Sequence, residues 1–246
     1  MNTNFELFGP IHQIIILSTF ALPILLVTAT RLIKANLFVN VVLFLLVTVL
    51  VCNRIWAVIV AWNSGLRSFT DYLPLHLCDI AFFMVVVACI SQHPELIRVT
   101  YFFALGGTLQ AIFTPDINVN FPHPRFISFF ISHCGIVVCA LFLTFGLKTY
   151  PTWQSLIRAF VWLQIYAAIV MIINFLLGTN FGYLARKPLQ PSLLDYFGPW
   201  PWYILVLEVA ALVVFVLLML PFTLKRALGR ALSKQVERLP ILLRGL

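Results

Sequence analysis

The sequence predicts an all-α integral membrane protein with seven transmembrane helices, its N-terminus outside and its C-terminus in the cytoplasm. Three observations carry that prediction. Of 246 residues, 62% are hydrophobic and 10% charged, at a mean hydropathy of +1.02, whereas about a quarter of a soluble domain is charged. The apolar residues form seven runs, each long enough to cross roughly 30 Å of hydrocarbon at about 1.5 Å per helical residue. Lysines and arginines favour alternate connectors, the bias that orients a multi-span chain.

The runs are Ile11–Thr30, Leu37–Trp62, Pro74–Ser91, Ile97–Thr114, Phe126–Gly146, Leu156–Leu177 and Trp200–Phe222. The first follows a segment with Glu6, no Lys or Arg and no small-residue cleavage site, so it is read as a retained span, not a signal peptide. The tight connector Gln92–Leu96 makes the third and fourth runs an antiparallel pair. Arg31, Lys34, Arg98, Lys148, Arg158, Lys225, Arg226, Arg230, Lys234, Arg238 and Arg244 fall on one side, which becomes the cytoplasmic one. The other side has Arg67, Arg125, Arg186 and Lys187, and Arg54 falls within the second span. Residues 1–222 form the transmembrane domain and 223–246 a basic amphipathic cytoplasmic tail, suited to anionic lipid headgroups or to simple positive-inside anchoring. The net charge of +8 follows this dispersed pattern, which argues against nucleic acid as a partner. No internal repeat is evident, which weakens a transporter built from two matched halves. Cys52, Cys78, Cys89, Cys134 and Cys139 all lie in apolar runs without a CxxC pattern, against a disulfide framework.

Two outer connectors are long. Pro115–Arg125 is broken by prolines, and Gly178–Pro199 is long and aromatic, the character of a lid or re-entrant segment. Trp200, Trp202 and Tyr203 suit an interfacial aromatic belt. His12, at the start of the first span, is assigned no role, and His123 is placed in a turn or facing the site.

Intramembrane ionisable groups are costly and mark function by default. Helical rise puts Cys78 about 6 Å below Pro74, His133 about 10 Å below Phe126, and Glu208 and Arg54 about 12 Å from their outer ends. Gln110 and Asn174 lie within about 6 Å of theirs, so these groups line one outer chamber, a site and not a pore. His76 and Asp79, three residues apart, share a helical face; Cys78 lies off it and needs a base from another helix, for which His133 is the candidate, with Arg54 as an alternative activator. The rival structural reading makes these groups interhelical glue, with Arg54 and Glu208 as one ion pair. His76, Asp79 and His133 also make a weak zinc-like set, but no metal or other cofactor is assigned. Gly106-Gly107 is read as close helix packing.

Leu-Pro-Leu-His-Leu-Cys-Asp (Leu73–Asp79), Gly-Thr-Leu-Gln-Ala-Ile-Phe-Thr-Pro-Asp (Gly107–Asp116), Phe-Pro-His-Pro-Arg-Phe (Phe121–Phe126), Phe-Ile-Ser-His (Phe130–His133), the run Asn174–Tyr183 and Gly-Pro-Trp-Pro-Trp-Tyr (Gly198–Tyr203) together resemble the YwaF-type bacterial integral membrane proteins, from the second span to the seventh. These resemble, more distantly, animal multi-span proteins that include a cysteine-dependent phospholipid acyltransferase. The resemblance implies a thioester intermediate on Cys78 with His133 as partner. The expected function is therefore a lipid acyltransferase or acyl hydrolase of the bacterial plasma membrane, working from the outer leaflet on a phospholipid or lysolipid. Cys78, His133, His76 and Asp79 are its candidate catalytic residues. Arg54, Gln110, Asn174, Asn180, Tyr183, Glu208, Arg125 and Trp202 are the candidate substrate contacts, with Arg186 and Lys187 near a phosphate. The alternative is a transporter or ligand-binding receptor with a closed outer polar pocket and no bond chemistry.

Overall fold

The computed structural model describes residues 5–66, 68–188 and 193–243. Arg67 and Arg244, both used in the charge count, lie outside the described residues. The described chain is helical throughout, without strands, and has seven main helices: α1 Pro10–Ile33, α2 Asn36–Asn63, α3 Leu77–Ser91, α4 Pro94–Phe113, α5 Pro124–Gly146, α6 Trp153–Leu177 and α7 Trp202–Leu243. Six are long and apolar enough to cross a membrane; α3, with 15 residues, is apolar but shorter. The chain is thus a multi-span membrane protein, its span boundaries moved by a few residues.

Local chemistry fixes the helix starts. Proline supplies the preset φ of a first helical position at Pro10, Pro94 and Pro124, where its missing N–H costs nothing. Thr152 caps α6, its hydroxyl accepting from Ser155 N–H at 3.1 Å. The third span was expected from Pro74, but Leu73–Leu75 is not helical and His76 is extended (φ −70°, ψ 153°). The helix begins at Leu77 because the Asp79 carboxylate turns back to accept the His76 backbone N–H at 3.1 Å. Cys78 is therefore the second residue of α3, not a residue one turn down a longer helix.

Burial separates an inner pair from an outer ring. In the apolar stretches of α4 and α5, 56% and 61% of residues are buried, against 17–22% in α1, α2, α6 and α7. The four outer helices therefore turn large side chains such as Leu17, Phe44 and Phe175 outward, as a lipid solvent allows. α5 packs on α1, α2, α3 and α4, and small residues let it approach. A Cβ on Gly135 would come within 2.8 Å of Leu50, and Cβ atoms on Gly106 and Gly107 would come within 2.7 Å of Phe215 and 2.8 Å of Leu77. The glycine pair thus packs closely between helices, as small residues do in membrane bundles.

Both inner helices contain a π-helical turn, Ala104–Thr108 in α4 and Phe142–Gly146 in α5. Thr108 and Thr144 sit in these turns, and their hydroxyls, with that of Thr100, are buried without a hydrogen-bond partner among the described residues. α7 crosses Phe222 unbroken, so the expected tail continues the seventh helix.

Candidate functional site

Several of the bundle's polar groups meet at the start of α3. Asp79 Oδ2 accepts the His76 N–H, and Oδ1 accepts Arg54 Nη1 of α2 at 2.7 Å. The pair is mostly sheltered, with side-chain exposure of 33% for Arg54 and 13% for Asp79. Arg54 therefore pairs with Asp79 and not with Glu208, which accepts from Gln164 of α6. The difference is geometric: the late start of α3 aims Asp79 back at α2, while Glu208 faces its neighbour α6. Asp79 holds the backbone of His76 and leaves the imidazole to the loop beyond α6.

That loop folds back over the site, as a lid-like segment should. Asn174, buried near the end of α6, donates to Phe181 O at 2.9 Å and accepts from Phe181 N–H at 2.8 Å and the Thr179 hydroxyl at 2.9 Å. These bonds present the tight turn Phe181–Tyr183. Gly182 N–H then donates to His76 Nδ1 at 3.4 Å, so the neutral His76 ring keeps its proton on Nε2. Gly182 has φ +65°, and a Cβ there would lie 2.9 Å from the Tyr166 hydroxyl, so glycine is required twice over. Phe181 packs edge-on to His76 at 5.4 Å. Asn180 closes the next turn, accepting from Ala185 and Arg186 N–H and donating to Arg186 O. Residues 189–192 of this loop lie outside the described residues.

Cys78 is half-buried and a free thiol. The backbone N–H groups of Cys78 and Asp79 lie against its sulfur, and the Arg54–Asp79 pair, Tyr166 and Tyr183 stand within electrostatic reach. Leu77 opens the first turn of α3, where a helix leaves its leading N–H donors without intrahelical partners, and the N–H of Cys78 lies against its own sulfur. His133 is buried on α5, stacked on Phe129 at 4.1 Å, with Nδ1 donating to Phe129 O at 2.8 Å. Its Nε2 therefore keeps an open lone pair, near both His76 and Asp79. No hydrogen bond joins Cys78 to His133 among the described residues. No group of three or more His, Cys, Asp or Glu side chains there is placed to hold a metal ion, so the zinc-like set has no geometric support.

A polar cleft of about 380 Å³ opens beside this turn, lined by Asp116, Asn118, Arg125, Asn180, Tyr183, Arg186 and Lys187. The Tyr183 hydroxyl donates to Asp116 at 2.7 Å and the Tyr203 hydroxyl to Tyr183 O at 2.6 Å. Burial first, and then the Asp116 carboxylate, push the Tyr183 phenol above the ordinary tyrosine range. It stays a protonated donor through neutral pH, and the contact is lost only as pH rises past that raised value.

The remaining expected contacts are dispersed. Gln110 and Trp202 are exposed, and the Gln110 side chain makes no hydrogen bond among the described residues. Trp200 Nε1 donates to Leu184 O, and Tyr203 is fully buried under the loop instead of joining an aromatic belt. His123 caps α5, accepting from Arg125 N–H. Sequence reasoning missed three polar residues. Tyr166 donates to Leu75 O at 2.8 Å and braces the extended stretch before α3. Asn53 of α2 donates to Ser128 O of α5 at 2.9 Å. His12 is buried among Phe5, Phe8 and Phe130, and its ring joins Phe8 N–H to Ile112 O. For His12 and Asn53 the available signal was a polar pair within an apolar run, His12-Gln13 and Asn53-Arg54.

A model described as the TMEM164 family matches residues 7–219. An uncharacterized protein of Treponema pallidum (strain Nichols) is 26% identical over 156 residues, which cover 63% of this chain and 64% of that relative's length. No solved structure matches.

Proposed function

The chain belongs to the TMEM164 family, and from that premise we propose that it is a membrane-embedded lipid acyltransferase, or acyl hydrolase, with Cys78 as nucleophile. We place it among the YwaF-type proteins of the bacterial plasma membrane, with the His76 end of the bundle facing outside. The observation that carries this reading is the start of α3. A thiol stands in the first turn of a helix, with backbone N–H groups against its sulfur, next to a sheltered Arg54–Asp79 pair and beneath a pinned turn.

In the proposed reaction Cys78 Sγ attacks the ester carbonyl of a phospholipid, and its proton passes to His133 Nε2 through an intervening water. The N–H groups of Leu77 and Cys78 receive the developing oxyanion. Collapse breaks the ester C–O bond, and the protonated imidazole returns the proton to the departing lysolipid oxygen. The hydroxyl of an acceptor lysolipid, or of water, then attacks the thioester, giving its proton to the same imidazole. As the C–S bond breaks the thiol is restored. Arg125, Arg186 and Lys187 in the outer cleft hold the phosphate while the acyl chain lies among the apolar helices. His76 orients the lid turn, and the basic end of α7 rests on anionic lipid.

The test offers purified protein acyl-labelled phosphatidylcholine with a lysolipid acceptor. Wild type should accumulate a hydroxylamine-labile acyl adduct, and Cys78→Ala should form neither adduct nor product. Equal turnover by the two proteins overturns the mechanism. One observation favours the rival reading of a binding protein: His133 Nδ1 is committed to Phe129 O, and no hydrogen bond links the ring to Cys78. On that reading Cys78→Ser alters lipid affinity while no adduct ever forms.

A further inference from the structure

We propose that the opposite end of the bundle, marked by Gln92, holds a second site, which binds a phosphate group and is independent of the cysteine chemistry. A cleft of about 680 Å³ opens there between the ends of α1, α3 and α5 and the start of α2. Arg31, Lys34 and Lys148 supply its cations, Asn36, Asn40 and Gln92 its amides, and no Asp or Glu lines it.

The backbone makes this composition informative. Five non-glycine residues have a positive φ among the described residues, and three border this cleft: Lys34 at 53°, Gln92 at 50° and Lys148 at 57°. Lys34 and Gln92 terminate α1 and α3, and Lys148 follows the end of α5. Glycine is the least costly residue for such left-handed helix ends. Long polar side chains are kept at all three instead, in a conformation that side-chain-bearing residues adopt only at a cost. That calls for something for those side chains to do.

Neutralising the helix ends is too small a task. A helix C-terminus presents roughly half a negative charge, so three bring about −1.5. Three full cations exceed that by about +1.5, with no carboxylate in the cleft wall to take up the difference. Two of the side chains are also held in place. Arg31 Nη2 donates to Phe145 O, setting the guanidinium against the wall, and Gln92 Nε2 donates to Asn40 Oδ1 at 3.0 Å. A guanidinium, two ammonium groups and amide donors around one opening are the chemistry that recognises a phosphate monoester or diester. The headgroup of an anionic phospholipid at the leaflet boundary and a soluble phosphate compound would both supply it.

The experiment uses the full chain in two arms. In the first, nanodiscs of phosphatidylcholine with and without phosphatidylglycerol are compared by native mass spectrometry for lipid retained on the protein. In the second, inorganic phosphate and glycerol phosphate are titrated in uncharged detergent and read by thermal shift. Retention of phosphatidylglycerol with no response to the soluble anions assigns a lipid headgroup; a response to the soluble anions assigns a soluble ligand. In either case Lys34→Gln with Lys148→Gln should weaken binding about thirtyfold, from the ordinary contribution of a lysine facing an anionic surface. The Lys34→Arg, Lys148→Arg protein should retain binding, which separates loss of charge from loss of fold. Lys234→Gln with Arg238→Gln measures the separate contribution of the basic end of α7 and should lower lipid retention less than the Lys34, Lys148 pair does, with no effect on the response to soluble anions. Binding by neither arm, wild-type binding by the double glutamine protein, or loss confined to the α7 control overturns the proposal.

Discussion

The Cys78 site and the cleft at the Gln92 end treat charge in opposite ways. Beside Cys78, cation meets anion, as Arg54 bonds Asp79. At the Gln92 end, the carboxylate of Glu95 is engaged by Arg98 and Arg158, and the three cations of the neighbouring cleft face no carboxylate. A balanced site can hold a reactive group such as Cys78 without drawing in counter-ions, whereas an unbalanced one concentrates them. The first arrangement suits chemistry and the second suits binding.

Substitutions at the His76 end should break this contrast from one side only. Cys78→Ala should have the largest effect, reducing acyl transfer to background while leaving anion binding at the Gln92 end intact, as measured by product formation and native mass spectrometry on the same sample. His133→Gln should come next, lowering kcat by about 10²–10⁴-fold with little change in substrate affinity; an unchanged kcat removes His133 from the reaction. Asp79→Asn leaves Arg54 without its charge partner and weakens the hold on His76 N–H. Discounted for the exposure of Arg54, this should cost about 1–3 kcal/mol, read as a lower Tm. Asn174→Ala should cost about 1 kcal/mol in global stability and speed amide exchange across 178–186, because it frees only the lid turn. Gly107→Ala should be the mildest, moving Leu77 by a few tenths of an ångström and lowering turnover more than Tm.

The spans were legible because hydrophobic runs of membrane length admit little but helix. Their exact starts were not. Pro74 looked like a first helical residue, and only the return of Asp79 to His76 N–H shows that the helix waits until Leu77. That shift changed the meaning of the three-residue spacing: His76 and Asp79 meet through the backbone, not across a helical face. The fold-back of the loop after α6 was legible from loop length and aromatic content, yet its anchor, Asn174, was read as a substrate contact because a polar residue near a span end carries no mark of what it bonds. His12 was unreadable for the same reason, since its partner, the Ile112 carbonyl, lies 100 residues away. The left-handed lysines had no sequence signal, because lysine at a helix end is common and φ cannot be read from residue type.

The π turn in α4 makes that helix tolerant of a change in length at one point. It holds one residue more than an α turn, so losing one residue from 104–108 would close the turn as α while 109–113 keep nearly the same direction and depth. The Ile112 carbonyl would stay within reach of His12, and Tyr101, before the turn, would keep its bond to Leu218 O. A helix without such a turn would instead carry the rotation of about 100° and the shift of about 1.5 Å of a lost residue all the way to its tip.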